Sequence, residues 1–349
     1  MQISGIKDFK HQFDEIFIKE LDTLIEASDQ SIKSHAIKGY IDYIRTIAAN
    51  GKRIRPYNTA LMFTIYSGRD WKEIKNTLIG IELIHLMALI HDDIMDNSNT
   101  RHGVASMHTY IQNDLLSITD ELMADHTSRS FAILLGDLVF AWAYAKFSED
   151  TPTQESWNII HVLLQEVIVG QMMDIYNPIE KSETMEQIEN KMLLKTARYT
   201  FTRPLQLGIA YAQPTNKETS WVNHFGDSVG LLFQMQDDIF DITKDTETLK
   251  KDPLGDIKNG IHTLLSAYVA EHATKEETEI WSTWFRNKEI NNQEEIQSFL
   301  DSVGALAFAQ KFIDQKESEA LTALAESKLE TTNIETIKAL LSAITNRKY

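Results

Sequence analysis

Helix breakers are scarce along this chain, with 6 prolines and 14 glycines in 349 residues. Both are costly inside helices, so their scarcity favours a mostly helical fold. The apolar pattern agrees. Phe9, Phe13, Ile16, Phe17, Leu21, Leu24 and Ile25 recur at helical spacing, as do Ile79, Leu83, Leu86, Met87 and Ile90. Further stripes run through Ile159, Leu163, Leu164, Val167 and Ile168, through Val229, Leu232, Phe233 and Met235, and through Ile334, Ile337, Leu341 and Ile344. No stretch shows sustained strand alternation bounded by turn residues. Breaks fall near Asn50-Gly51, Ser67-Gly68, Thr151-Pro152, Asn177-Pro178, Gln213-Pro214 and Asp252-Pro253, and none resembles a linker. The expectation is one all-α domain over residues 1–349, a bundle of about ten or more helices with a central cavity.

Two acidic strings read almost alike: His91-Asp92-Asp93-Ile94-Met95-Asp96 and Gln236-Asp237-Asp238-Ile239-Phe240-Asp241. Each has carboxylates at i, i+1 and i+4, and on a helix i and i+4 share a face. One such string is as readily a solvated helix face as a ligand set. Both, however, follow directly on apolar runs, where unpaired carboxylates are costly. Two copies in matching settings favour a metal site. Magnesium held by carboxylates keeps positions open for phosphate oxygens, which points to a diphosphate substrate.

A basic set, Gly51-Lys52-Arg53-Ile54-Arg55-Pro56, follows a break. Lys52 and Arg55 are three apart and can share a helical face. Arginine's fork suits phosphate, and lysine adds a point charge. Arg101 can fold back over the same cavity as Asp92. Lys195-Thr196, with Gln234 one turn before Asp238, offers a lysine, a hydroxyl and an amide for gripping a leaving group or facing positive charge. Each residue alone is ordinary surface polarity; the set is harder to dismiss. His85, His91, His102 and His108 have no zinc-site spacing, and a lone histidine on an apolar face is more often structural. There is no Walker loop, no Gly-rich dinucleotide loop and no Gly-x-Ser-x-Gly elbow.

A net charge of −17 opposes binding to nucleic acid or anionic lipid. The lack of cysteine excludes disulfides and thiolate chemistry and is compatible with a reducing compartment. The charged stretch from Met1 to Glu20 does not resemble a signal peptide. Leu78 to Ile90, read as the most apolar stretch, is interrupted by Glu82 and His85 and is too short to span a bilayer. These features suggest a cytoplasmic enzyme with no membrane span and no nucleic-acid partner.

Several motifs, in order, resemble the trans-isoprenyl (polyprenyl) diphosphate synthases, closest in character to bacterial geranylgeranyl diphosphate synthases. They are GKRIRP at 51–56, IELIHLMALIHDDIMDNSNTRHG at 81–103, LLGDLVFAWA at 134–143, GQMMDI at 170–175, KTARYTFTRPLQLG at 195–208, FQMQDDIFDI at 233–242 and GDIKNG at 255–260. The resemblance implies an isoprenoid synthase-like bundle with both Asp-rich motifs at the mouth of an apolar cavity, a homodimer, and about three magnesium ions per site. It assigns Asp92, Asp93 and Asp96 to magnesium bridging to the allylic diphosphate, and Asp237, supported by Asp238 and Asp241, to a metal on the opposite wall. It assigns Arg101, Lys195 and Lys251 to the allylic diphosphate, and Lys52, Arg55 and His85 to isopentenyl diphosphate. Thr196 and Gln234 face the reacting carbons, while Gln171 and Asp174 line the polar mouth. The implied reaction is ionisation of the allylic diphosphate, attack by the isopentenyl double bond, and proton loss.

In this family bulky residues just before the first aspartate stop chain growth. Met87 and Ala88 stand there and neither is aromatic, so the resemblance leans to geranylgeranyl diphosphate as product. Three departures stand out. His102 replaces a family arginine that grips phosphate, Ile261 replaces a family lysine, and the stretch from Thr109 to Ser128 is longer than the usual connection. Two other readings stay open: a terpene cyclase, disfavoured by the second Asp-Asp-x-x-Asp string, and a non-catalytic regulatory subunit, disfavoured by the completeness of both strings.

Overall fold

The computed structural model describes residues 3–30, 32–180, 182–214, 219–244 and 253–346. The chain forms two compact units, Met1–Gln154 and Glu155–Tyr349. Both are helical.

The first unit opens with α1 (Ile6–Asp29), whose Phe9, Phe13, Phe17, Leu21 and Ile25 are buried as the periodicity requires. Then come α2 (His35–Ala48), started by the Ser34 side chain, and α3 (Ile54–Ser67), stopped by Gly68 at φ 69°. A 3₁₀ turn (Trp71–Ile74) leads into α4 (Lys75–Met95), which is buried over most of its length. A hairpin of β1 (Thr100–Arg101) and β2 (Val104–Ala105) follows, then α5 (Met107–Leu115) and the long α6 (Glu121–Glu149). The Asp120 carboxylate caps α6 by accepting the Met123 N–H at 3.0 Å. α4 packs along α6. The long stretch 109–128 thus forms most of α5, a turn, and the start of α6. Tyr43 stacks on Tyr110 with ring centroids 3.7 Å apart, and Tyr40 donates to Asp114 at 2.7 Å, so α2 anchors this segment.

The sequence pattern showed no strands. This hairpin is too short to alternate, and its turn is made by His102 at φ 52° and Gly103 at φ 85°. Two consecutive positive φ values are what a tight two-residue hairpin needs.

The second unit contains α7 (Gln154–Tyr176), a 3₁₀ turn (Asn177–Ile179) and α8 (Met185–Met192). α8 runs straight into a π-helix (Leu193–Thr202) and then α9 (Arg203–Ala212), with Pro204 at its start. α10 (Trp221–Thr243) is the buried axis of this unit. Beyond it lie α11 (Gly255–Asn259), α12 (Leu264–His272), α13 (Lys275–Trp284), α14 (Gln293–Ser302), α15 (Ala305–Ala325) and α16 (Thr331–Thr345). α10 packs against the π-helix and α15. A Cβ on Gly230 would lie 2.2 Å from the Ala197 Cα, so only glycine lets α10 approach the π-helix this closely.

Two helical stretches, Glu121–Glu149 and Gln154–Ile179, are long and apolar enough by composition to cross a membrane. Leu78 to Ile90 falls outside both stretches. Of their most apolar windows, 44% and 28% are buried. Leu122, Ile133, Leu134 and Tyr144 of α6 and Ile168, Met172, Ile175 and Tyr176 of α7 are exposed.

Candidate active site

The first acidic string occupies the last turn of α4, which ends at Met95. Carboxylates at a helix C-terminus face the negative end of the macrodipole and gain from a nearby cation. Here that cation is Arg101. The hairpin folds it back so that its Nε donates to Asp93 Oδ1 at 2.9 Å, and Nη2 donates to the same oxygen. Arg101 Nη2 also lies 3.9 Å from Asp92 Oδ2. Asp93 is fully buried, and burial raises its pKa even with Arg101 bonded to it. Asp93 Oδ2 is buried without a hydrogen-bond partner among the described residues. Asp92 is half-buried and Asp96 exposed.

The basic set resolves into different roles. Arg53, at φ 54°, turns inward and is 4% exposed. It donates to Asp14 at 2.7 Å, to Glu82 at 2.6 Å and to the Ala48 carbonyl at 2.8 Å, pinning α1 and α4 to the end of α2. Lys52 precedes α3 and is exposed, so it does not share a helical face with Arg55. The left-handed residue between them breaks the register that their spacing suggested. Arg55 approaches His85 on α4. Removal of the ring from water, then the charges of Arg55, Arg53, Arg101 and His102, hold His85 well below its usual pKa. Sequence-chosen Arg55, His85, Arg101 and His102 therefore share one electropositive neighbourhood, with Arg101 also on the acidic string. Met87 and Ala88 are half-buried, about one turn before Asp92.

In the second unit the π-helix presents Lys195 and Thr196. Long π-helices are rare and concentrate at functional sites. The Thr196 hydroxyl donates to Gln234 Oε1 at 2.7 Å, and Gln234 Nε2 donates to Asp238 Oδ1 at 2.8 Å. This relay joins three of the sequence-chosen residues. Asp238 is 5% exposed, and burial pushes its pKa up to about 7, with Asp237 and Asp241 adding negative charge. Asp241 is buried and accepts the Asp256 N–H at 3.1 Å, which ties it to the start of α11; Asp237 is half-buried. The second string, like the first, lies at a helix C-terminus.

Lys195 donates to Asp174 Oδ2, and Lys191 Nζ lies 3.4 Å from Asp174 Oδ1. Burial favours the neutral acid, but Lys195 and Lys191 together hold the Asp174 pKa below the ordinary range. Gln171 is half-buried, one turn earlier on α7. Lys251 lies outside the described residues.

Among the described residues, no three His, Asp or Glu side chains converge as a preformed metal cluster. Each string nevertheless offers only oxygens, at a helix C-terminus, which suits a hard cation; Asp93 Oδ2 is buried, and burial raises the Asp238 pKa. Sequence reasoning missed Lys191, and it missed Glu166, which takes Arg203 at 2.7 Å through both oxygens and Arg198 at 3.0 Å. Lys191 sits among charged residues that read as surface, and Glu166 is a lone charge in an apolar run, so no motif marks either.

The sequence profile described as polyprenyl synthetase matches residues 36–303. A short chain isoprenyl diphosphate synthase from Methanocaldococcus jannaschii is 27% identical over 281 residues, covering 78% of this chain and 79% of that protein. A nonaprenyl diphosphate synthase from Mycobacterium tuberculosis is 30% identical over 220 residues, covering 63% of this chain and 60% of that one. Geranylgeranyl pyrophosphate synthase from Corynebacterium glutamicum, crystallised with isoprenyl diphosphate and magnesium, superposes with a TM-score of 0.87 at 25% identity, covering 97% and 99% of the two chains. The all-α chain with its paired aspartate strings belongs to the polyprenyl synthetase family and is a prenyltransferase of the trans-isoprenyl diphosphate synthase type.

Proposed function

We propose that this enzyme condenses isopentenyl diphosphate with an allylic diphosphate, with magnesium as cofactor, and releases geranylgeranyl diphosphate. The observation that carries the reading is the repeated acidic string, placed in each unit at the C-terminus of a long, largely buried helix. In this reading Asp92, Asp93, Asp96, Asp237, Asp238 and Asp241 would hold the magnesium, about three ions in all. When bound, magnesium neutralises charge on that diphosphate and makes it a better leaving group.

The chain's own residues then act as follows. Arg101 and Lys195 bind the departing diphosphate by charge-assisted hydrogen bonds; Lys251 has the same role in this reading. Lys52, Arg55 and neutral His85 orient isopentenyl diphosphate, with the exposed His102 beside them. Thr196 has its proton committed to Gln234, so its oxygen presents lone pairs to the allylic cation. Gln234 is oriented in turn by Asp238, and Gln171 lines the polar mouth. The allylic carbon–oxygen bond breaks, the isopentenyl double bond forms the new carbon–carbon bond, and an oxygen of the departed diphosphate takes the proton that is lost, which completes the extension.

Product length rests on Met87 and Ala88, neither of which is a ring that would stop growth early. Relatives of similar identity include both short-chain and nonaprenyl synthases, so family membership alone leaves length undetermined. The exposed apolar side chains of α6 and α7 support a homodimer, since a second copy would cover them. The absence of cysteine supports a cytoplasmic location.

The test is incubation of purified protein with magnesium, isopentenyl diphosphate and each allylic primer, followed by product chromatography. A geranylgeranyl product is expected. A cyclic hydrocarbon, or no elongation with any primer, would refute the reading.

A further inference from the structure

Lys191 is a buried cation that the reaction scheme does not use. It lies in the last turn of α8 and is 6% exposed. Its ammonium donates to the His262 carbonyl at 3.1 Å and lies 3.4 Å from Asp174 Oδ1. The other oxygen of Asp174 takes Lys195. His262 is itself a fixed anchor. Its N–H donates to Asn177 Oδ1 at 2.6 Å, and Asn177 Nδ2 donates back to the His262 carbonyl at 3.2 Å. Arg286 ties the same corner by donating to the Pro178 and Glu180 carbonyls at 2.6 and 2.8 Å.

The charges decide what this arrangement does. Asp174 and Lys195 alone sum to zero. With Lys191 the group carries one net positive charge, and the two ammoniums take different oxygens of Asp174. Without Lys191 both oxygens would fall to Lys195 and draw its ammonium onto Asp174. At position 261, next to His262, the side chain is isoleucine and carries no charge. A methionine would fill the same space without the desolvation cost of an ammonium, so packing alone does not account for a lysine there.

We propose that Lys191 is a positioning residue for prenyl transfer: it balances Asp174 so that Lys195 keeps its charge for the allylic diphosphate. The proposal rests on the assignment of Lys195 to that diphosphate. Lys191 acts on Lys195 through Asp174, and its charge also reaches Asp238.

The experiment is steady-state kinetics on the full chain, with KM measured separately for the two substrates. Lys191→Gln keeps a donor for the His262 carbonyl and removes the charge. It should raise KM for the allylic diphosphate about tenfold and leave KM for isopentenyl diphosphate within about twofold. Adding Asp174→Asn restores the net positive charge and should recover most of the loss, which no purely structural role would allow. Lys191→Met carries the same expectations if the glutamine variant fails to fold. An unchanged allylic KM, a double variant no better than the single, or a parallel rise of both KM values would overturn the proposal. Lys195→Ala separates the two failures: if it leaves the allylic KM unchanged, the assignment of Lys195 falls first.

Discussion

The imidazole of His85 is kept neutral by its withdrawal from water and by the charges of Arg55, Arg53, Arg101 and His102. In the unfolded chain the same ring takes up a proton below about pH 6.5. Between that value and its lowered folded pKa, the unfolded state binds more protons, so stability falls as pH falls. His85→Gln removes this dependence. Lowering the pH from about 7.5 to about 5.5 should therefore lower Tm more in the wild type than in His85→Gln. Equal losses by differential scanning calorimetry would show that the ring is not held neutral. Ala88 offers a second test at this scale. It is half-buried, about one turn before Asp92, where a bulky ring would narrow any space beneath the acidic string. Ala88→Phe should shift the product to a shorter prenyl chain, read by chromatography, and an unchanged product length would remove Ala88 from the floor of the site.

Among the elements, the π-helix over Leu193–Thr202 does most to set the second half of the site, because it aims Thr196 at Gln234 on α10. Gly230 permits the approach. Alanine there gains about 1 kcal/mol of helix propensity, but its Cβ would meet the Ala197 Cα at 2.2 Å. Backbone cannot yield as a flexible side chain does, and overpacking costs about 1–3 kcal/mol. Gly230→Ala should lower both Tm and turnover; a Tm equal to or above wild type would contradict the close packing. The π-helix was not legible in the sequence, since its ten residues carry no apolar period distinct from an α-helix. The α-helices were legible where one face is apolar, as in α1 with Phe9, Phe13 and Phe17. The hairpin at Thr100–Ala105 was not, because two-residue strands cannot alternate. Arg53 was indistinguishable from Lys52 and Arg55 in sequence, and only the fold shows that it bonds Asp14 and Glu82. The acidic strings stood out in the sequence because their spacing repeats, and Thr196 and Gln234 stood out as candidates, but the hydrogen bond that joins Thr196 to Gln234 is visible only in the fold.

For the whole molecule, the proposed function rests on both aspartate strings being needed to bind the allylic diphosphate together with magnesium. Neither string is a preformed cluster among the described residues. Each sits at a helix C-terminus where negative charge accumulates, so metal and diphosphate should bind together and not in sequence. The most direct measurement is calorimetric titration of a non-hydrolysable allylic diphosphate analogue, with magnesium present, into the wild type, Asp92→Ala and Asp237→Ala. Both variants should weaken binding on the order of a hundredfold, and chelating the magnesium should abolish it in the wild type. Wild-type affinity in either variant, or binding that survives chelation, would contradict the account.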